Sequence, residues 1–223
     1  MHKHLFRLLM VCGLLLTAGL DNALAQLLDI SSGGTPTITG ALGGSVSGSS
    51  SVLNDLVVTI NFGEVSPLNT NNIVKVIVPI AIRSRQPYRV NALVSMTNNA
   101  NIQAIQRSDI GIGFNNMRAM GSGSQVCTNS SHIFYSPFNN DPAANVSINS
   151  SGRAAFPSTL NNISSSTTVL SGPRLQRNNN NSRQTNDGYI FDAILAITPQ
   201  FYAAGTSSAV VTFTISAGPN VPC

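Results

Sequence analysis

TPQFYAAGTSSAVVTFTIS, residues 198–216, holds the most regular strand pattern of the chain. One side of this pattern is apolar and consists of Ala209, Val211, Phe213 and Ile215. Thr212 and Thr214 alternate with them on the other side, and this period of two indicates a half-buried β-strand. The residues that follow, AGPNVPC, are too few and too rich in proline for another strand. The stretch therefore predicts a β-strand as the last element of the chain.

The same alternation recurs upstream. In residues 73–84, IVKVIVPIAIRS, one face is formed by Val74, Val76, Val78, Ile80 and Ile82. In residues 189–197, YIFDAILAI, the residues in phase are Tyr189, Phe191, Ala193, Leu195 and Ile197. Pro79 falls on the opposite face of the first segment, and because proline has no N–H to donate, it favours a sheet edge or a bulge there.

Shorter β-rich segments, separated by Gly, Pro and Asn turns, lie at residues 52–62, 86–96, 109–114, 132–136 and 144–149. No convincing amphipathic helix accompanies them. Together the segments predict an all-β fold, an antiparallel β-sandwich over residues 52–223. Residues 115–187 are rich in Asn and Ser, which compete with the ladder for hydrogen bonds, so we expect solvated loops there.

Residues 1–25 have the three-part layout of a secretory signal peptide. Lys3 and Arg7 give a positive start, the apolar run LLMVCGLLLTAGL follows, and Ala23-Leu24-Ala25 offers a cleavage site. The run is shorter than the roughly 20 residues that a membrane-spanning helix needs. The sequence therefore predicts export to the periplasm, the cell surface or the medium, with no membrane span after cleavage.

Residues 26–51 read as an N-terminal extension of the sandwich, because residues 31–51 are rich in Gly and Ser and carry no charge. One interpretation is a flexible tether. The other is a thin strand, because a period of two runs through Ile38, Gly40, Leu42, Gly44 and Val46. Both interpretations stay open at this point.

Charge and cysteine content exclude some partners and suggest one cross-link. Without residues 1–25, ten Lys/Arg (12 less Lys3 and Arg7) oppose seven Asp/Glu (8 less Asp21), a net charge of about +3 that is not a nucleic-acid footprint. The two cysteines left, Cys127 and Cys223, predict a disulfide in an oxidising compartment. Two free thiols are the alternative. Neither the spacing of the two cysteines nor their neighbours in the sequence suggest a metal site.

Catalytic patterns are weak. His132 is the only histidine after residue 25, which excludes a site built on several histidines, and no G-x-S-x-G elbow is present. Glu64 is the only glutamate, and no carboxylate pair stands out. Gly111 and Gly113 lack the third glycine of a phosphate loop and indicate a bulge or close backbone approach. We predict no enzyme, cofactor or metal, with a hydrolase centred on His132 as the remote alternative.

Asp192 lies inside an apolar segment, on the face opposite Tyr189 and Phe191. It is either a residue facing solvent or a buried acid paired with arginine.

One basic and aromatic cluster could bind a ligand. It consists of Arg83, Arg85, Tyr88 and Arg89. Guanidinium groups beside a tyrosine ring are suited to an anionic or sugar ligand. The alternative is a hairpin turn whose charges face water.

Three segments resemble bacterial pilin-type subunits, including chaperone-usher fimbrial subunits and the related spore-coat-U-like proteins. INFGEVSP (60–67) is similar to the turn after their first core strand, PYRVNALVS (87–95) to a strand of their second half, and AAGTSSAVVTFTIS (203–216) to their C-terminal ending. Ser207 departs from that ending, which usually has tyrosine.

The resemblance implies an immunoglobulin-like sandwich whose last strand leaves an open edge, filled by the N-terminal extension of a neighbouring subunit. Ile38, Gly40, Leu42, Gly44 and Val46 would then be the donated strand. The implied function is a structural or adhesion subunit of a cell-surface fibre, with other subunits and a periplasmic chaperone as partners. A complete sandwich with a simple tether is the alternative, and a secreted module that binds surface glycans is the second hypothesis.

Overall fold

The computed structural model describes residues 28–40, 43–52, 54–65, 67–68, 72–97, 100–120, 127, 129–150, 153–175, 188–203 and 207–222. The predicted signal peptide lies outside these ranges. The strands are β1 (Leu28–Ser32), β2 (Thr37–Thr39), β3 (Ser45–Val52), β4 (Asp55–Asn61), β5 (Val74–Ser84), β6 (Tyr88–Ser95), β7 (Ile110–Ala119), β8 (Ile133–Phe134), β9 (Ser147–Ile148), β10 (Ala154–Ala155), β11 (Thr167–Gly172), β12 (Tyr189–Ile197) and β13 (Ser208–Ala217). Short 3-10 turns span Arg107–Asp109, Asn129–Ser131 and Leu160–Ile163.

Two antiparallel sheets contain most of these strands. In the first sheet, β1 and β2 follow one another along the same side of β5, and the order continues through β12 to β7. The second sheet has the order β3-β4-β13-β6-β11-β8, and β9 pairs with β10 in a separate hairpin. The predicted all-β fold of packed antiparallel sheets is therefore confirmed.

The hydrophobic core lies between the two sheets. The inward residues predicted for β5, β12 and β13 are all at most 2% exposed, which confirms the three inward faces, and most of the opposite face of β12 is buried as well. At the centre, the Phe114 ring lies 6.2 Å from that of Phe191 in its own sheet and 6.0 Å from that of Phe213 in the opposite sheet. These edge-to-face contacts join the two layers.

Pro79 marks an interruption in the edge next to β5. Its carbonyl oxygen accepts a hydrogen bond from Gly33 N at 2.8 Å. Its nitrogen carries no hydrogen, so it cannot donate a second hydrogen bond to the strand on that side. The partner strand breaks there into β1 and β2, with residues 33–36 between them. The predicted irregularity at Pro79 therefore lies in the neighbouring strand.

The C-terminal strand is not at an edge. β13 pairs with β4 on one side and with β6 on the other. The open edge that the resemblance implied at residues 209–216 is therefore wrong. In the described sheets, β1 with β2 forms one edge of the first sheet and β7 the other, and β3 and β8 form the two edges of the second sheet.

The described part of the insertion between residues 115 and 187 is built into the fold, which differs from the expected solvated loops. β8 and β11 extend the second sheet, and other segments of the insertion pack onto the first sheet. Phe114 N donates to the Phe138 carbonyl at 2.7 Å, and Ile112 N donates to the Ser158 carbonyl at 3.0 Å, so the insertion covers the free edge of β7. Leu160 and Ile163 are fully buried in the core. Sequence composition missed this because a few buried side chains are enough to dock a polar segment.

Candidate functional site

The N-terminal edge of the first sheet, β1 with β2, completes the core. Ile30 is 0% exposed, and Leu28 and Ile38 are partly buried against the core cluster. Burial of an isoleucine side chain stabilises a fold by about 1.5–3 kcal/mol. The first described residues of the chain are therefore part of the hydrophobic interior.

A polar contact anchors β1 to β5. Arg83 Nη1 lies 3.2 Å from Asp29 Oδ2 and donates to Ser31 Oγ at 3.3 Å. Both charged side chains are 12% exposed. An ion pair shielded from water in this way is less screened by salt than one at the surface, and it joins two residues that are cross-strand partners.

Glycines allow the edge to approach β5 and then to turn away from it. A Cβ on Gly33 would lie 3.0 Å from both Ala81 N and Ile190 Cγ2. Gly40 has φ +82° and Gly43 has φ +71°, values that L-residues with side chains rarely adopt. These two glycines lie where the chain leaves β2 of the first sheet and where it enters β3 of the second.

The five positions of the predicted donor strand are divided by this turn. Ile38 lies in β2 of the first sheet, and Val46 lies half-buried in β3 of the second sheet. Gly40 and Gly44 lie in the connection, and Leu42 lies outside the described residues. The two ends pair with β5 and β4 of the same chain, so in this structure the five positions do not form one strand. The described part of the predicted extension is built into the sandwich.

β3 forms the edge of the second sheet. It pairs with β4 on one side, and within the described residues it has no strand on its other side. Ser45, Ser47, Gly48 and Ser49 are exposed, and the strand contains neither a charged residue nor a proline. Natural proteins commonly protect edge strands with charged residues or proline. Because β3 has neither, it offers unprotected backbone hydrogen-bonding groups.

The predicted ligand cluster does not converge. Tyr88 is 0% exposed inside the sandwich, so its ring cannot stack on a sugar. Arg83 is engaged by Asp29, and exposed Arg89 donates from Nε to Ser216 Oγ at 3.1 Å. Arg85 is half-buried beside them. Arg83 lies in β5, whereas Tyr88 and Arg89 are neighbours in β6, where successive side chains point to opposite faces.

His132 is packed between aromatic rings. Its centroid lies 4.4 Å from that of Tyr189 and 6.1 Å from that of Tyr88. Burial raises the pKa of both tyrosines, and the charge of Tyr189 raises the pKa of Tyr88 further. The phenols are therefore neutral groups rather than bases, and His132 packs against their rings.

Four of the described carboxylates lie in separate ion pairs. Besides the Asp29 pair, Lys75 lies 2.5 Å from Asp141, Arg118 lies 2.9 Å from Asp192, and Arg153 lies 3.2 Å from Asp109. Asp192 also accepts a hydrogen bond from Asn116 Nδ2 at 2.6 Å, so it is a buried acid paired with arginine. Within the described residues, no group of three or more potential metal ligands occurs.

Cys127 lies at the end of the sandwich where β13 finishes. It is 7% exposed, and its carbonyl oxygen accepts a hydrogen bond from the Tyr189 hydroxyl. Its Sγ lies 3.6 Å from the Arg174 carbonyl oxygen. Ala217 pairs with Tyr88 at the same end. Cys223 lies outside the described residues, so the bridge between the two cysteines stays a prediction.

In the described part of the chain, no helix is long and apolar enough to cross a membrane. Comparison with known proteins found no matching family model, no matching curated protein and no matching solved structure.

Proposed function

We propose that this chain is an exported, non-enzymatic structural subunit of a bacterial cell-surface fibre, and that copies assemble by exchanging their N-terminal β-strands. The observation that carries the proposal is the position of Ile30. A fully buried core residue lies in an edge strand formed by the first described residues of the chain. The immunoglobulin-like character implied by the pilin resemblance belongs to this proposal.

The proposed exchange reuses contacts already present within one chain. β1 and β2 of one subunit would leave their own β5 and take the same places beside the β5 of the next subunit. Ile30 would fill the same core position, and Asp29 would meet the neighbour's Arg83. Since each copy donates in one direction and receives in the other, the contact is heterologous and extends into a fibre.

The turn between β2 and β3 is suited to be the hinge of this exchange. Gly40 and Gly43 adopt positive φ in the closed form, and glycine has a low barrier to other backbone conformations. The described residues of this turn, Gly40, Gly43 and Gly44, carry no side chain that opening would expose. β1 and β2 can therefore reach a neighbour while β3 stays on β4.

Strand capture by a peptide tests the proposal. We expect a peptide with the sequence of residues 28–40 to occupy the place beside β5 and to shorten or block assemblies of the mature protein, measured by light scattering and electron microscopy. The control peptide carries Ile30→Asp, which would place a charge in the core and should have no effect. A mature protein that stays monomeric at every concentration, or fibres insensitive to both peptides, would count against strand exchange.

The other functions considered receive less support from the described residues. A glycan site at Arg83, Arg85, Tyr88 and Arg89 would need the buried Tyr88 ring to reach solvent. A hydrolase at His132 would need a nucleophile and an acid beside a ring that is packed between two tyrosines. A periplasmic chaperone fits the proposed exchange, because an opened subunit exposes core residues until a neighbour covers them.

A further inference from the structure

A cleft at the end of the sandwich opposite Cys127 is used by none of these assembly contacts. It has a volume of about 510 Å³, within the usual range for small-ligand sites. Its lining consists of Pro67, Gln103, Arg153, Pro199, Gln200, Phe201 and Tyr202. The lining comes from separate parts of the chain, so the fold and not a single loop creates the cleft.

Hydrogen bonds hold the loops that form this cleft. Ala203 N donates to the Gln103 carbonyl at 2.9 Å, which ties the loop after β12 to the segment after β6. Tyr202 N donates to the Gln200 carbonyl at 2.9 Å, and Gln103 N donates to Asn101 Oδ1 at 2.9 Å. The cleft is therefore largely formed before any ligand arrives.

The side chains offer the two kinds of contact that a sugar needs. Phe201 is 77% exposed and presents a flat apolar face, against which the C–H face of a pyranose ring can stack. Gln103 and Gln200 supply amide donors and acceptors for hydroxyl groups.

The charge in the cleft is compensated. Arg153 Nη2 lies 3.2 Å from Asp109 Oδ2, and that same oxygen accepts a hydrogen bond from Gln106 N at 2.9 Å. The Asp109 side chain is 7% exposed and holds the guanidinium in place. An acidic ligand would meet a guanidinium whose charge is already neutralised. A neutral hydroxyl can still accept hydrogen bonds from the remaining N–H groups of Arg153.

We propose that this cleft binds a neutral hexopyranose unit of a glycan, with Phe201 as the stacking platform and Gln103, Gln200 and Arg153 as hydrogen-bonding groups. The site is independent of the strand exchange proposed above and would give the subunit an adhesive surface. A second copy of the chain is the competing occupant, because Leu68 and Ile102 are also exposed next to the lining. Stable protein interfaces involve about 20–30 residues a side, so a cleft of this size suits a sugar better.

The test uses the mature protein on an array of neutral and acidic glycans, followed by titration with methyl glycosides of neutral hexoses. We expect binding to neutral glycans, weakened about tenfold or more by Phe201→Ala. The matched control is Ile133→Ala, which removes another exposed apolar side chain at the far end of the sandwich and should leave the affinity unchanged. Light scattering of both variants should show the same assembly as the parent protein.

Three outcomes would overturn the proposal. They are no binding to any glycan, binding restricted to acidic glycans, and loss of self-association in Phe201→Ala, which would make the cleft a contact between copies. Because assembly is measured separately, failure of sugar binding leaves the strand-exchange proposal standing, and failure of assembly leaves the sugar site standing.

Discussion

Gly111 and Gly113 lie in β7 because the covering insertion leaves no room for a side chain. A Cβ on Gly111 would lie 2.6 Å from the Phe156 ring and 2.8 Å from Pro142 Cβ. A Cβ on Gly113 would collide with the backbone carbonyl of Asn140. The close approach predicted from the two glycines is therefore confirmed, and its cause is the docked insertion.

Gly113→Ala is expected to destabilise the protein by about 1–3 kcal/mol, because a backbone carbonyl has to move. The free energy of unfolding in urea measures this. Gly48→Ala is the matched control in β3, where a new Cβ would have nothing within 4 Å, and its change should stay within about 0.5 kcal/mol. Equal effects of the two substitutions would show that the insertion does not pack on β7.

We expect the raised pKa values of Tyr88 and Tyr189 to make the protein less stable at alkaline pH. Burial raises the pKa of both phenols above the ordinary value of 10.0, so the folded protein holds these protons more tightly than the unfolded chain. This contribution is fully present below about pH 10 and falls as pH rises through the folded pKa. The double variant Tyr88→Phe/Tyr189→Phe should show a shallower decline above pH 10 in urea unfolding, and an unchanged decline would contradict the account.

The two tyrosines should also differ at neutral pH. The Tyr88 hydroxyl is buried with no hydrogen-bond partner among the described residues, so Tyr88→Phe should be neutral or slightly stabilising. The Tyr189 hydroxyl donates to the Cys127 carbonyl, so Tyr189→Phe should cost about 1 kcal/mol in urea unfolding. The reverse order would mean that the hydrogen bonds at this end are assigned wrongly.

At the level of elements, sequence patterns predicted the central strands and missed the first edge. β5, β12 and β13 alternate over several residues, so their inward faces could be predicted from the period of two. β1 has only Leu28 and Ile30 as apolar residues and follows directly after the predicted cleavage region, so no pattern of useful length exists there.

The strands that pair with β13 could not be predicted either, and the reason is a different one. Alternation shows which face of a strand is buried, but not which strands lie beside it. Pairing of β13 with both β4 and β6 depends on contacts far apart in sequence. The cleft was missed in the same way, although the pair Phe201-Tyr202 between a proline and a glycine was a signal that the turn does more than connect two strands.

The predicted bridge between Cys127 and Cys223 would tie the segment after β13 to the insertion. It closes a loop of about 100 residues, so reduction should lower the free energy of unfolding by about 4 kcal/mol in the chain-entropy model. Peptide mass spectrometry without reduction measures the linkage directly. Two alkylatable thiols in the native exported protein would contradict the prediction.

For the molecule as a whole, charge is used mainly within the fold. Charged residues make up 9% of the chain, and four described acids are engaged by Lys or Arg from distant segments. Among the described residues, backbone at the sheet edges, exposed polar side chains and a few exposed apolar side chains remain for contact with other molecules. Such a surface is suited to strand pairing and adhesion.

A cross-link between β1 and β5 tests strand exchange most directly. Ser31 and Ala81 are Cα partners in these strands, and antiparallel partners are about 4.5–5.5 Å apart at Cα, a separation that a disulfide can bridge. The variant carries Ser31→Cys and Ala81→Cys. Asn91→Cys with Thr214→Cys, partners in the inner strands β6 and β13, is the matched control that should cross-link only within one chain.

The measurement is a non-reducing denaturing gel of assembled and oxidised protein. Strand exchange predicts a ladder of covalent multimers for Ser31→Cys/Ala81→Cys, which collapses to monomer on reduction, and monomer alone for the control pair. Intact assemblies whose Ser31→Cys/Ala81→Cys bridges all lie within single chains would contradict the exchange of N-terminal strands.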